Sequence, residues 1–479
     1  RKSGEAYLEY LTINAVKDKK GKVLHYVAVF HDISELHSSK EKLAYTNSYD
    51  ALTGLPNRSF FGNYCDELIV KINPHDENFV IARLDLDNFR DVNDSLGYEV
   101  GDVLLKKVAT RIRNCCRNQD VVARLGGDDF AFLIPESGRS VDGTLLIMGR
   151  IMDELNKPFA IDKEPVFLQA SIGLTIFPEH GNDSQTLLQS AELALYQAKK
   201  LGGSRIKIFT ERAQAEHQRK LELKTNLRQA LNSNEFELYY QPKVTCGNNR
   251  ITGAEALIRW RRADGQLIPP DEFIPLAEES ELITEIGAWV IEAAARQLQL
   301  WHRSGRTDFT VAINLSARQF VDPELLNRLR SAIDRYGLSV KDLQLEITEH
   351  TMVEQVEQTV EIMDKITEYG FSISIDDFGT GFSSLAYLKR FPITTLKIDR
   401  TFVQTLPDDP HDKTIINLSL SLARSLGLSV IAEGVETEEQ LDFLCEIGCD
   451  EYQGYLCSRP LPPHEFEEFL EDWRIRHNE

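Results

Sequence analysis

Gln241, Glu255, Asn314, Glu346, Asp376, Lys397, Glu433 and Gln453 share one property: each polar group sits at or near the end of a short apolar run. The sharpest case is Ser372-Ile373-Ser374-Ile375-Asp376-Asp377-Phe378-Gly379-Thr380-Gly381, a strand-like stretch delivering two adjacent carboxylates to a glycine-rich turn. Side chains alternate faces along a regular strand, so both acids reach one site only where the strand ends. Taken alone, the pair is as easily a helix cap or an Asx turn. Its recurrence through the second half of the chain points to chemistry instead. Gathered carboxylates repel and are costly to bury unless cations sit among them. Oxygen donors with one amide favour Mg²⁺ or Mn²⁺ over zinc, which prefers His and Cys. Two such ions with a bridging water suit attack on a phosphodiester. Glu255 and Arg259 are four apart on one strand and share a face, so a metal-holding carboxylate and a phosphate-holding guanidinium can serve one substrate.

A ring of this kind needs a scaffold that points many strand ends at one place. From Phe236 onward strand-like segments (Leu238–Gln241, Ala254–Trp260, Thr310–Leu315, Leu343–Ile347, Phe371–Asp376, Thr395–Asp399, Val430–Glu433, Tyr452–Tyr455) alternate with helix-like ones (Asp271–Trp301, Pro323–Tyr336, Thr351–Tyr369, Ile415–Leu426). About eight β/α units is the count of a TIM-like (β/α)8 barrel, whose chemistry lies at the C-terminal ends of its strands.

The N-terminal half carries a second pair of acidic strand ends. Val80–Leu84 runs into Asp85-Leu86-Asp87-Asn88-Phe89, and Gly126-Gly127-Asp128-Asp129-Phe130 turns into the strand Ala131–Ile134. The glycines let a backbone approach a nucleotide, and the acids can hold a divalent ion on its phosphates. Residues 1–33 alternate as a hairpin around Lys20-Gly21-Lys22. Residues 34–49 and 210–221 read as linker helices, the first with Leu36 and Leu43 one heptad apart.

At 479 residues the chain holds two or three domains, and 42% hydrophobic with 27% charged residues is a globular balance. A net charge of −21 argues against a nucleic-acid polymer or an anionic membrane as the main partner. Cys65, Cys115, Cys116, Cys246, Cys445, Cys449 and Cys457 are too sparse for a disulfide framework, so a cytoplasmic setting is expected. No membrane-spanning run or signal peptide is read; the chain starts at Arg1 and is expected to be a piece of a longer protein, with an upstream membrane anchor left open.

The motifs carry resemblances. Glu255-Ala256-Leu257-Ile258-Arg259-Trp260, with Tyr240-Gln241-Pro242, Asn314-Leu315-Ser316, Glu346-Ile347-Thr348-Glu349, Asp376-Asp377-Phe378-Gly379, Lys397-Ile398-Asp399, Glu433-Gly434-Val435-Glu436 and Gln453-Gly454-Tyr455, resembles the EAL phosphodiesterases of cyclic di-GMP over residues 222–479. The resemblance implies two metals on Glu255, Asn314, Glu346, Asp376, Asp377 and Glu433, with Glu255 and Glu433 also part of the catalytic set. It implies a catalytic Lys397 that orients or activates water, substrate contacts from Gln241, Arg259, Glu436 and Gln453, and a loop brace at Glu349. Phe382 replaces a frequent tyrosine. Residues 50–209, opening with Asp50-Ala51-Leu52-Thr53-Gly54-Leu55-Pro56-Asn57-Arg58, resemble an α+β GGDEF diguanylate cyclase domain. This implies one or two metal ions with GTP on Asp85 and Asp128, and GTP contacts from Asn93, Asp102, Gly126, Gly127 and Asp129. It also implies an inhibitory site at Arg117 and Asp120, and homodimerisation. Four departures lower the expectation of cyclase turnover: Asp129 for glutamate, Arg90 for lysine, Tyr98 for histidine, and Gly203 where an arginine is usual. Residues 1–33 resemble the last two strands of a PAS sensor. The expectation is hydrolysis of cyclic di-GMP to linear pGpG beside a GTP-binding, regulatory or weakly active cyclase domain. A bifunctional enzyme, a non-catalytic receptor and a barrel hydrolase of another substrate class stay open.

Overall fold

The computed structural model describes residues 9–17, 21, 23–32, 47–72, 77–137, 141–161, 164–349, 351, 356–380 and 388–477. The expected helix over 34–49 falls outside them except for residues 47–49, and so does Phe382. The chain divides into two compact units, Arg1–Arg219 and Lys220–Glu479. Among the described residues no helix is long and apolar enough to cross a membrane.

In the first unit β1 (Glu9–Lys17) and β2 (Val23–Asp32) form the expected antiparallel hairpin, from Glu9↔Asp32 to Lys17↔Val23. Its Tyr10, Ile13, Tyr26 and Phe30 are exposed. A separate five-stranded sheet follows, in the order β4 (Val121–Gly126), β5 (Asp129–Ser137), β3 (Glu77–Asp87), β8 (Gln169–Phe177), β9 (Ile206–Ile208). β6 (Phe159–Ile161) and β7 (Glu164–Val166) form a small ribbon outside it. Central β3 is buried on both faces, so its apolar residues are continuous, as a covered strand requires. Val80, Ala82 and Leu84 face the core built with α3 (Tyr98–Cys115) and α4 (Asp142–Leu155). Phe79 and Ile81 face the other, with α1 (Arg58–Lys71) and α5 (Ser184–Lys200). The short α2 (Phe89–Leu96) continues directly from the end of β3. The opening motif is a turn and a cap: Asp50 accepts from Thr53 N at 2.9 Å, and Asn57 caps α1 by accepting from Phe60 N at 3.0 Å.

In the second unit, after α6 (Glu211–Asn232), eight strands close into a barrel: β10 (Phe236–Thr245), β11 (Ile251–Arg261), β13 (Thr310–Leu315), β14 (Leu343–Thr348), β15 (Ser372–Phe378), β16 (Thr395–Ile398), β17 (Ser429–Glu433) and β18 (Glu451–Gln453). The two-residue β12 (Leu267–Ile268) lies on the extension of β11. Helices surround the strands: α7 (Pro270–Glu279), α8 (Ile283–Arg303), α9 (Ala317–Phe320), α10 (Leu325–Tyr336), α11 (Val356–Tyr369), α12 (Arg400–Val403), α13 (Pro410–Leu426), α14 (Glu438–Glu446) and α15 (Pro463–His477).

Two details differ from the eight repeated β/α units expected. β10 runs antiparallel to both neighbours, β11 and β18, while the other pairs around the barrel are parallel. The five residues between β10 and β11 allow only a hairpin; a parallel crossover needs a dozen or more. The expected helix Asp271–Trp301 is two helices, because Glu281 takes a left-handed backbone (φ 63°) that no α-helix continues through.

Candidate active site at the barrel rim

The parallel strands deliver their acids as anticipated. β14 sets Glu346 beside Asn314 of β13, and β17 sets Glu433 beside Gln453 of β18. The inverted β10 reaches the same place from the other direction, with Gln241 opposite Glu255 of β11. Asp377 closes β15 with φ 55°, a left-handed conformation that Asp tolerates better than most residues. That twist breaks the strand alternation and lets Asp376 and Asp377 both reach the rim.

Lys397 is the hub. Its buried Nζ lies 2.6 Å from Glu433 Oε1, 2.7 Å from Glu346 Oε2, 3.2 Å from Asp376 Oδ1 and 3.4 Å from Glu255 Oε2. Asn314 Nδ2 donates to Glu255 Oε1 at 2.6 Å, and Gln453 Nε2 donates to Glu255 Oε2 at 2.7 Å and Gln241 Oε1 at 2.9 Å. The charges are unevenly balanced. Burial raises the Glu255 and Asp376 carboxyls and pushes Glu433 up to about 8, despite Lys397. Burial opposes ionisation of Glu346 as well, but Lys243 and Lys397 together hold it down at about 2. Burial and the neighbouring Asp399 carboxylate raise Asp377.

Such a set fits divalent cations. Glu255, Glu346 and Asp376 bring carboxylate oxygens within 4.8 Å of one another, and so do Asp376, Asp377 and Glu433. Asp376 belongs to both trios. The donors are oxygens throughout, and among the described residues the five acids are met by two buried lysines, Lys397 and, on Glu346, Lys243, leaving negative charge for a cation to offset. A cavity of about 450 Å³ opens over Glu255, Asp376, Asp377 and Glu433, lined also by Asp399, Arg400, Glu436 and Tyr455, with Glu346 buried beneath. Exposed Glu436 is at its margin. Arg259 is off this cavity: its guanidinium lies 5.4 Å from the Tyr239 ring centroid and donates to its neighbour's carbonyl, Ile258 O. Buried Glu349 accepts from Gly379 N at 2.9 Å, at the start of the loop that follows the two aspartates.

In the first unit Asp85 of β3 stands opposite Asp129 of β5, next to the Gly126-Gly127-Asp128 turn. Both acids already have basic partners. Lys199 pairs with Asp85, and Arg83 grips Asp129 through two nitrogens while also holding Glu192 at 2.8 Å. Burial raises the Asp85 carboxyl, with Asp128 adding to the effect against Lys199. Gly126 and Gly127 both have positive φ, and a Cβ on either would meet open space. Arg124 braces this turn, donating to Gly127 O at 2.7 Å and to Asp50 at 3.0 Å. Asn93 is half-buried against Gly101, and Asp102 is exposed on α3. Asp120 is 2% exposed: its Oδ2 accepts from Arg117 N at 2.6 Å, and the Arg117 side chain stays outside. Gly203 has φ 72° over the Asp87 carboxylate, which also holds Ser204 N at 2.9 Å; an arginine here would be strained and crowded.

The sequence reading gave no site role to Lys243, Asp399 or Arg83. Lys243 and Arg83 had a signal: each is a long cation with an apolar residue on either side inside a strand. Asp399 was visible inside Lys397-Ile398-Asp399, where it caps α12 by accepting from Thr401 N at 2.9 Å.

Two family models match the chain: "EAL domain" over residues 224–460 and "Diguanylate cyclase, GGDEF domain" over residues 47–205. Bifunctional diguanylate cyclase/cyclic di-GMP phosphodiesterase MucR of Pseudomonas aeruginosa is 41% identical over 414 residues, 86% of this chain and 60% of the relative. Cyclic di-GMP phosphodiesterase NbdA of the same organism is 38% identical over 94% of this chain and 57% of the relative. The chain thus spans under two thirds of the length of either. A solved structure, the PaMucR phosphodiesterase in complex with c-di-GMP, is 44% identical with a TM-score of 0.50, covering 51% of this chain and 99% of that one. The chain belongs to the family of tandem GGDEF–EAL proteins.

Proposed function

We propose that the barrel hydrolyses cyclic di-GMP to linear pGpG, one water adding across one phosphodiester P–O bond. The observation that carries this is the pair of carboxylate trios sharing Asp376 around Lys397. Relatives whose names include cyclic di-GMP phosphodiesterase support it. Glu255, Asn314, Glu346, Asp376, Asp377 and Glu433 hold two Mg²⁺ or Mn²⁺ ions, which when bound supply Lewis-acid stabilisation of a phosphoryl oxygen. Lys397, an ammonium among four carboxylates, orients the attacking water by donating a hydrogen bond. Gln453 fixes the Glu255 carboxylate while Gln241 accepts from the same amide, and both meet substrate; Glu436 contacts it from the rim, Arg259 reaches it by turning away from Ile258 O, and Glu349 holds the loop after Asp377. In the first unit Asp85 and Asp128 hold the cation that accompanies GTP; Asn93, Asp102, Gly126, Gly127 and Asp129 contact the nucleotide; Arg117 and Asp120 form an inhibitory site. Domain limits of 50–209 and 222–479, a PAS-type hairpin at 1–33, a homodimer and a cytoplasmic setting complete the reading.

The test is the purified chain with cyclic di-GMP and Mg²⁺ or Mn²⁺, products separated by chromatography. pGpG is expected; intact substrate with both metals overturns the proposal and leaves the receptor reading. The same assay with GTP decides the bifunctional reading, which the name of MucR and the open Gly126-Gly127 turn favour.

A further inference from the structure

One buried ammonium has no part in the chemistry assigned above. Lys243 is 2% exposed, its Nζ 2.7 Å from Glu346 Oε1 and 3.1 Å from Gln344 Oε1. Gln344 donates in turn to Thr395 Oγ1 at 3.1 Å, which ties the lysine's anchor to β16. The inversion of β10 explains the position. Lys243 follows Gln241 by two residues, so it shares that face, and the reversed strand carries it into the barrel rather than out of it. Gln344 precedes Glu346 by two residues on β14 and lies at the same deeper level. Glu346 is therefore held by two ammonium groups on two different oxygens: Lys397 takes Oε2, and Lys243 takes Oε1.

A buried lysine is costly unless it holds something in place. What Lys243 holds is the softest torsion of a metal-binding acid. The terminal torsion of glutamate is broad and roughly two-fold, so an untethered Glu346 carboxylate could turn its plane. Divalent cations of the Mg²⁺ type demand fixed oxygen directions.

We propose that Lys243 is a positioning residue for the metal centre: it clamps Glu346 Oε1 from the barrel interior, and so fixes the direction in which Oε2 meets Glu255 and Asp376. This rests on the two-ion reading given above. It makes a prediction whose sign separates it from simple charge balance. Removing a cation beside a metal site should, by Coulomb's law alone, tighten binding of a divalent ion. Removing a clamp should weaken it.

The experiment is calorimetric titration of the chelator-stripped full chain with Mn²⁺ and with Mg²⁺, without substrate. All proteins carry Asp128→Ala, to silence the acidic site of the first unit. Lys243→Met is expected to weaken ion binding by roughly tenfold or more, as loss of an outer-sphere partner does. Gln344→Leu, which keeps the lysine but removes its second anchor, should weaken binding less, in the same direction. In the hydrolysis assay, Lys243→Met should lower kcat with KM for cyclic di-GMP little changed. Unchanged or tighter Mn²⁺ binding by Lys243→Met overturns the proposal. Should that variant not fold, unchanged binding by Gln344→Leu overturns it. Glu255→Ala in the same titration separates the two levels. If it loses binding while Lys243→Met does not, only the clamp is wrong; if it binds as the parent does, the metal reading falls and takes the clamp with it.

Discussion

The two acidic sites of this chain are built in opposite ways. At the barrel rim the carboxylates converge on one buried ammonium, and the amides of Asn314 and Gln453 aim further groups at them. In the first unit Asp85 and Asp129 face each other across a strand pair but turn to separate partners, Lys199 and Arg83, beside a glycine turn open to solvent. The barrel has its electrostatic field in place before any ligand arrives, which is how fixed dipoles and charges are most effective. The first unit keeps Asp85 and Asp129 occupied, so the nucleotide and cation proposed for it would first have to displace Lys199 from Asp85. The rim acids are held as one set, and those of the first unit as separate pairs.

The largest expected effect tests the preorganised side. Glu255→Ala removes a residue that contacts Lys397, Asn314 and Gln453 at once, and should cut hydrolysis on the order of a thousandfold with the circular dichroism spectrum unchanged. Turnover within about tenfold of the parent would make the rim a binding surface rather than a catalytic one. Next comes the occupied side. Arg83→Met strands Asp129, whose side chain is only 15% exposed, and should cost about 2 kcal/mol in urea unfolding of the first unit. A loss below about 0.5 kcal/mol would mean that the pair is screened like a surface salt bridge. A smaller effect links the two sites. GTP with Mg²⁺ should bind in calorimetry and change the phosphodiesterase rate about fivefold, roughly 1 kcal/mol, with activation as the expected sign. That response should vanish in Asp128→Ala. GTP binding without any change in rate would show the two sites to be independent. Least of all, Gly203→Arg should cost the first unit about 1 kcal/mol of stability, read as a slightly lower melting temperature, since φ 72° suits glycine. Tighter GTP binding in that variant would show that the loop has room for a phosphate-gripping side chain after all.

Most of the rim was legible because an acid ending an apolar strand is a local pattern, and a parallel barrel turns many such ends toward one place. Strand direction is not local. Leu238–Gln241 alternates identically whether it runs up or down, so only the five-residue spacing before β11 gives the inversion away. Lys243 was missed for the same reason: with β10 taken as parallel, a residue beyond Gln241 would project out of the barrel into solvent, where a lysine draws no notice. In the first unit the motifs located Asp85, Asp128 and Asp129, but the grip of Arg83 on Asp129 depends on a diagonal relation between neighbouring strands that sequence spacing does not carry. Asp120 shows the converse. Its place in Arg117-Asn118-Gln119-Asp120 was plain, yet its burial follows from a turn that folds the carboxylate back onto Arg117 N.

The pairing of β10 with β18 has a consequence for how the barrel comes into being. Gln241 and Gln453, joined by a hydrogen bond across that seam, are 212 residues apart in the chain. The neighbouring β10–β11 hairpin closes over a turn of five residues and is expected to form early, while the seam has the largest loop-closure entropy to overcome and is expected to close last. On that order the Gln453 amide that holds Glu255 arrives with ring closure. A chain stalled short of that step has most of the acids but lacks the Gln453 amide that completes the constellation around Glu255.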